Sequence, residues 1–450
     1  MPTDPSWCVL LVIALIALIW VWYYRQHPPS NSSAVPLRRL LLPRTPADCP
    51  ACRQHAAPTD TGVDHPPVTP WSAIKSRRGA PKRIVTQGFA CPNPQCAYYR
   101  ITDAQVHALV GDGAHGRGER IQTLRCQACG STFSTRRATP LYRLKTASHR
   151  VAEVLTALAE GLSVAAATRV FGHRHATITR WVTRAGAHST LVHERFFQRL
   201  HLPHLQLDEL RTRLRTRTHV LWLWLALDPL TKIIPVLHLG ARTQDSAHAV
   251  VHELHRRLAI GCLPVFTSDG LNLYFYALTA HFGQWVAGVG RRARRWQVAA
   301  GLIYGQVKKR YRRRRLVGVT YVLRCGTRAA LQSALRRLGL SGKLNTAFVE
   351  RVNLTVRQSV AALIRCSWST MQAAPQLLLD LEWWRAYYHF VRPHESLRQA
   401  LAYPLDRGGK RQPQRYRQRT PAMAAGLTSR RWRVRDLLTL PLLQAPLGAA

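Results

Sequence analysis

Two close cysteine pairs, Cys91/Cys96 and Cys126/Cys129, stand 29 residues apart and constrain the chain more than any other feature. Four thiolates on two tight knuckles form a tetrahedral donor set that suits Zn²⁺. Gly130 relaxes the turn after the second pair, and Phe133 can pack on the site. So small a module needs metal-binding energy to fold. The spacing predicts a zinc ribbon over 85–140 with Cys91, Cys96, Cys126 and Cys129 as ligands. Between the pairs lies VGDGAHGRGE, with Gly111, Gly113 and Gly116 in fingerprint spacing. With no strand before it and no amphipathic helix after it, this reads as a ribbon loop and not as a dinucleotide site. A third pair, Cys49/Cys52 with His55 nearby, is either a zinc half-site or a solvated turn. Cys8, Cys262, Cys325 and Cys366 stand alone and read as small buried apolar residues. Close pairs of this kind indicate metal ligands in a reducing compartment, not a disulfide framework.

The 450 residues include 65 Lys and Arg against 22 Asp and Glu, a formal charge of +43. Self-repulsion of that size calls for a polyanionic partner, nucleic acid first and an anionic membrane second. It argues against an acidic binding tail and against a small-molecule enzyme with neutral surfaces. A hydrophobic fraction of 46% excludes a chain disordered throughout. Length alone predicts about two to four domains.

Residues 7–24, WCVLLVIALIALIWVWYY, are uncharged with aromatic ends, the pattern of a single transmembrane helix. Arg25, Arg38, Arg39 and Arg44 follow, which puts the remainder on the cytoplasmic side. The competing reading is a misassigned start codon, although the next methionine is Met371. Residues 25–84 have the Pro-rich composition of a linker.

Over 146–190 the rhythm becomes helical. Val151, Val154, Leu155 and Leu158 recur at helical spacing before Gly161, a short helix opens after Ser163, and Ile178, Trp181 and Val182 line one face of a third. The other face of that helix carries Arg174, His175, Thr177, Arg180 and Arg184. This predicts an all-α helix-turn-helix with those five residues on DNA, or else a plain three-helix bundle with a solvated basic face.

From residue 204 strand patterning takes over. HLQLDELRTRL, HVLWLWLALDP and IIPVLHLG read as a meander, a helix bearing Val250, Val251, Leu254 and Leu258 follows, and PVFTSDG is a fourth strand. That order is the ribonuclease-H order, an α/β core over 200–400. It puts Asp208 mid-strand and Asp269 at a strand end, where adjacent strands can bring them together. No Asp or Glu occurs between Asp269 and Glu350, and Glu350 lies on a helix by periodicity. Glu350 either forms a surface ion pair with Arg351 or Arg357, or completes an Asp208–Asp269–Glu350 site for Mg²⁺ (or Mn²⁺). Asp228, Asp245 and Glu253 read as turn, cap and helix-surface residues, and Glu209 should face away from Asp208.

The stretch LDEL…HVLWLWLALDPLTKIIPVLHLGART…VFTSDGLNLY…NTAFVERVNLTVRQ resembles bacterial insertion-sequence DDE transposases of the IS-one type. The resemblance covers about 85–400, and YYHFVRPHESL resembles a segment that follows the Glu helix in integrase-like enzymes. It implies an acidic triad at Asp208, Asp269 and Glu350, and an N-terminal zinc finger and helix-turn-helix that bind terminal inverted repeats. It further implies strand cleavage and strand transfer on DNA. Two DNA ends must be synapsed, so a homodimer or larger assembly in the cytoplasm or nucleoid is expected. The chain departs from that family in its apolar N-terminus and in a basic insertion over about 285–342. There Lys308, Lys309, Arg310, Arg312 and Arg313 run among Trp296, Tyr304, Tyr311 and Tyr321, as in a DNA-clamping arm or a solvated linker. Asn353 and Arg357 are expected on DNA, His389 and His394 near it, and the basic tail 401–450 as an accessory contact. The expected whole is multidomain: N-terminal helix, zinc ribbon, helix-turn-helix, and ribonuclease-H-like core with insertion. The alternative is a non-enzymatic DNA-binding regulator with a degenerate core.

Overall fold

The computed structural model describes residues 68–74, 84–215, 220–287, 294–364, 371, 373–406 and 413–442. The apolar segment 7–24 and the Cys49/Cys52 pair lie outside these residues. No helix among the described residues is long and apolar enough to cross a membrane.

Strands β1 (Leu109–His115), β2 (Ile121–Cys126) and β3 (Thr132–Ser134) form a small antiparallel sheet in that order. The glycine-rich segment expected as a loop instead supplies all of β1 but its first residue. It pairs with β2 through an irregularity between Gly111 and Ala114. Glycine spacing there reflects a bulged strand, which spacing alone does not distinguish from a loop.

Helices α1 (Ser148–Ala159), α2 (Val164–Phe171) and α3 (His175–Phe196) follow. Val151, Val154, Leu155, Ile178, Trp181 and Val182 are buried, as their spacing requires. Ser163 caps α2 by accepting the Ala166 N–H at 3.2 Å. α3 passes its expected end because Val192 and His193 are buried too.

Next in the chain come β4 (His204–Arg213), β5 (Val220–Leu227), β6 (Leu237–Gly240), α4 (Gln244–Arg257), β7 (Val265–Ser268) and α5 (Leu273–His281). The hairpin β8 (Gly283–Ala287) and β9 (Arg294–Val298) precedes β10 (Ile303–Arg312) and β11 (Arg315–Cys325). Six strands form one mixed sheet, ordered β6-β5-β4-β7-β10-β11. β5 is antiparallel to both neighbours, β7 is parallel to β4 and β10, and β11 is antiparallel to β10. The insertion expected over 285–342 is therefore partly sheet. Ile303–Gln306 align with Val265–Ser268, and Tyr304, Gln306 and Val307 are buried. What the neighbouring arginine run obscured was that strand's membership of the central sheet. Asp228 accepts the Leu230 and Thr231 N–H groups in its turn, and Glu253 pairs with Arg256 and Arg257, as expected.

Helices α6 (Arg328–Arg337), α7 (Ala347–Ser359) and α8 (Ala374–Ala386) complete the central part. Strand alternation divides the packing. Leu205, Leu207 and Trp224 share a core with α4 and α5, while Leu223, Leu225 and Leu227 share one with α7 and α8. α3 crosses α8 at Gly186, where a Cβ would lie 2.2 Å from the Leu379 oxygen. Beside the crossing, Trp383 Nε1 donates to Leu155 O at 2.9 Å.

The C-terminal segment is not only a basic tail. Leu437 and Leu438 of the helix Val434–Thr439 are buried, and Trp432 stacks on Phe390 with ring centroids 4.7 Å apart. His389, expected near DNA, is fully buried instead. Its Nε2 accepts the Ile234 N–H at 2.9 Å and its Nδ1 faces His193 Nε2 at 3.5 Å. Burial holds its pKa well below the usual histidine range, so it is a neutral core residue.

Gly186→Ala gains helix propensity of about 1 kcal/mol but drives a methyl into the α8 backbone. A net destabilisation of about 2 kcal/mol is expected in urea unfolding; an unchanged or raised midpoint would refute the close crossing. A second test uses His188, whose Nε2 donates to Leu437 O at 3.1 Å. Burial pushes this imidazole down to about 4 despite that bond. The unfolded chain takes up a proton near pH 6.5 that the folded state refuses, so stability falls as pH drops from 6.5 toward 4. His188→Gln keeps a donor and removes the titration. Relative to the parent it should gain up to about 3 kcal/mol across that window; parallel pH–stability curves would rule this out.

Candidate functional site

Two clusters of metal-ligating side chains occur among the described residues. In the first, Cys91 Sγ lies 3.5 Å from Cys129 Sγ, and Cys96 Sγ 3.8 Å from Cys126 Sγ. All four sulfurs fall within 4.8 Å of one another. A tetrahedral ion with Zn–S bonds of about 2.3 Å spaces its sulfurs about 3.8 Å apart, so these four cysteines fit zinc. The Tyr98 N–H donates to Cys96 Sγ at 3.4 Å. Gly130 has φ +74°, and its N–H reaches Cys126 O at 2.8 Å. Burial pushes the Cys91 thiol up. At Cys129 burial is outweighed by hydrogen bonds with Ser131 and Cys91, and the thiol falls to about 6.

The second cluster lies on the central sheet. Leu207 of β4 pairs in parallel with Ser268 of β7, so Asp208 and Asp269 occupy the next positions of neighbouring strands. Carboxylate oxygens of Asp208, Glu209 and Asp269 all lie within 4.8 Å of one another. Asn353 of α7 donates from Nδ2 to Asp208 Oδ2 at 2.7 Å, and Asp208 Oδ1 accepts the Glu209 N–H at 2.9 Å. On the other strand face, Arg242 Nη2 donates to Glu209 Oε1 at 2.5 Å, with Tyr274 Oη 3.4 Å from Oε2. Burial, then the charges of Glu209 and Asp269, raise Asp208 to about 7. Burial and Asp269 raise Glu209 to about 7 against the lowering by Arg242. Three crowded carboxylates form an all-oxygen donor set, which fits a hard divalent cation such as Mg²⁺ or Mn²⁺. Asn353 Oδ1, buried and without a hydrogen-bond partner in the described residues, adds an acceptor beside it.

Glu209 joins the cluster although the strand alternation expected it to face away. The alternation holds, but β7 ends at Ser268, so both faces reach Asp269 just beyond that end. The doubled acid in LDEL was the available signal. Glu350, the expected third ligand, is not in the cluster. It accepts from Thr346 Oγ1 at 2.5 Å and pairs with Lys309 of β10, not with Arg351 or Arg357. Glu350 and Asn353 are one turn apart on α7.

The residues expected on DNA separate. Arg174, His175 and Arg180 are exposed on α3, with Thr177 half-buried. Arg184 turns inward and donates from Nη2 to Tyr142 O at 2.6 Å. Arg310, Arg312 and Arg313 are exposed at the tip of the β10–β11 hairpin. Lys308 packs on the turn after Asp269, since a Cβ on Gly270 would lie 3.2 Å from its Cγ. Tyr311 and Tyr321 are exposed, whereas Tyr304 is buried and hydrogen-bonded to Ser268 at 2.8 Å. Asn353 serves Asp208, and Arg357 donates from Nη2 to Arg211 O at 3.3 Å. His394 is half-buried with its Nδ1 2.9 Å from Ser396 Oγ.

No family model and no curated protein matches the chain.

Purified protein is expected to carry about one zinc per chain through the four thiolates. Cys126→Ser should lose it and expose the amides of β1 and β2 to fast hydrogen exchange. Elemental analysis with exchange mass spectrometry reads both, and full zinc content in the variant would remove these cysteines as the ligands.

Proposed function

We propose that the chain is a DNA transposase that binds terminal inverted repeats and performs metal-dependent strand cleavage and strand transfer. One observation carries the reading: Asp208 and Asp269 meet across a parallel strand pair under a helix that brings Glu350 and Asn353 one turn apart. The strand order, three antiparallel strands with two more added in parallel beside the first, agrees with a ribonuclease-H-like core. The module around the four cysteines is read as a zinc ribbon, and α1–α3 as a helix-turn-helix with Arg174, His175 and Arg180 on DNA.

A divalent metal held by Asp208 and Asp269 supplies Lewis-acid activation of an attacking oxygen and neutralises the leaving one. The chain's own residues do the rest. Asn353 orients the Asp208 carboxylate, and Arg242 fixes Glu209 from the opposite face. The β10–β11 hairpin supplies cations for the phosphate backbone. Its turn supports that role: Arg313 and Arg314 both have positive φ, where Asn-Gly would be unstrained. The tip thus carries charge at positions where backbone preference favours Asn or Gly.

The Lys309–Glu350 pair favours a second reading, a DNA-binding regulator whose core does not cut. One assay separates them. Protein without residues 1–30 is incubated with labelled DNA carrying the repeats that flank the gene, in Mg²⁺. The transposase reading expects a new 3′-hydroxyl at the repeat boundary, with Asp269→Asn slower by about a thousandfold or more. DNA binding without cutting in Mg²⁺ or Mn²⁺ would leave the regulator.

A further inference from the structure

The root of the basic hairpin sits on the acidic site. β10 lies beside β7 in parallel, so it continues past Ser268 alongside the Asp269 turn. The two residues that follow its buried part are Lys308 and Lys309, and strand alternation sends them to opposite faces. Lys308 covers Gly270, and Lys309 pairs with Glu350. Thr346, the residue that opens α7, holds the same Glu350 oxygen at 2.5 Å. Glu350 is therefore held on the Lys309 side, one helical turn from the Asn353 that touches Asp208. The tip of the hairpin, from Arg310 to Arg315, is exposed and basic but for Tyr311.

We propose that Lys309 is a DNA-operated latch: it keeps Glu350 off the Asp208–Asp269 pair, and a phosphate that draws Lys309 away frees Glu350 to complete the metal site. The inference rests on the metal-dependent DNA reading above and names how that site is regulated. Phosphates compete for the lysine because the hairpin that carries it ends in exposed arginines, which attract a phosphate backbone. A half-exposed ion pair is weak, so a backbone phosphate at the hairpin suffices to displace it. Released, Glu350 adds a third acidic donor, and affinity for a divalent ion rises with ligand charge count. In the absence of DNA, Asp208, Glu209 and Asp269 alone give a weaker site. Metal chemistry is thereby withheld until DNA lies along the hairpin.

The test is Mn²⁺ binding, followed by the loss of the free-ion electron paramagnetic resonance signal. It uses zinc-loaded full chain with and without a short DNA duplex at low salt. In the parent, DNA is expected to tighten Mn²⁺ binding by about three- to tenfold. Lys309→Ala should show the tightened affinity without DNA and gain little on adding it. Lys309→Ala with Glu350→Gln should lose that tightening, and Lys309→Arg should restore dependence on DNA. If Lys309→Ala binds Mn²⁺ as the parent does while Asp269→Asn abolishes binding, the latch is wrong and the metal site stands. If neither parent nor variants bind Mn²⁺ under any condition, the metal-site reading falls and the latch with it.

Discussion

The parallel pairing of Leu207 with Ser268 decides what the site can be. It aligns the middle of one strand with the end of another, so Asp208 and Asp269, the first residue past its strand, come next to each other. Neighbouring strands are about 4.8 Å apart, close to the reach of two carboxylates sharing a cation. β7 is only four residues long, and that shortness matters. Where it stops, the sheet no longer separates its two faces. Asp208 from one face and Glu209 from the other then converge on the same point. Arg242 and Tyr274 secure Glu209 from one side, and Asn353 secures Asp208 from the other.

Much of this was legible in the sequence. Asp208 and Asp269 stood out because each occupies a defined place in a strand pattern, and Glu350 because no other acid lies within eighty residues before it. The four cysteines were picked out by spacing as one metal-ligating set, and their sulfurs do converge. What escaped was non-local. Lys309 and Glu350 are 41 residues apart, and nothing in either segment announces the other. Asn353 read as a DNA contact because an exposed and a buried polar residue look alike on an amphipathic helix. Tyr304 read as a stacking aromatic because the four buried residues of β10 lead almost straight into an arginine run. His389 lay in a motif that suggested DNA, yet it hydrogen-bonds a backbone N–H in the core.

Helix α3 ties the parts together mechanically. At 22 residues it is about 33 Å long. Its first turns carry exposed Arg174, His175 and Arg180, and its last turns bury Val192 and His193. At the midpoint Gly186 lets α8 approach to backbone contact, and α8 in turn packs on the sheet through Leu377, Leu381 and Trp384. His193 continues the connection, with its Nδ1 donating to Glu382 of α8 at 2.7 Å. On the proposed reading, the surface that recognises DNA ends and the sheet that bears the acids share one rigid strut. Sequence-specific contact then fixes the direction in which DNA leaves toward the acids.

The same rigidity governs the basic hairpin. β10 is a strand of the sheet before it is an arm, and its buried residues pair with β7 up to Gln306. On the proposed reading, a phosphate held by the exposed part of the arm is therefore placed relative to Asp208 and Asp269 more firmly than on a tethered loop. A net charge of +43 would attract DNA in almost any arrangement. Attraction of that kind carries no position. Position comes from placing two lysines where a strand passes its shorter neighbour, one beside Asp269 and one on Glu350. On the proposed reading, the lack of any Asp or Glu between Asp269 and Glu350 leaves no other carboxylate in that segment to hold the arm when DNA binds.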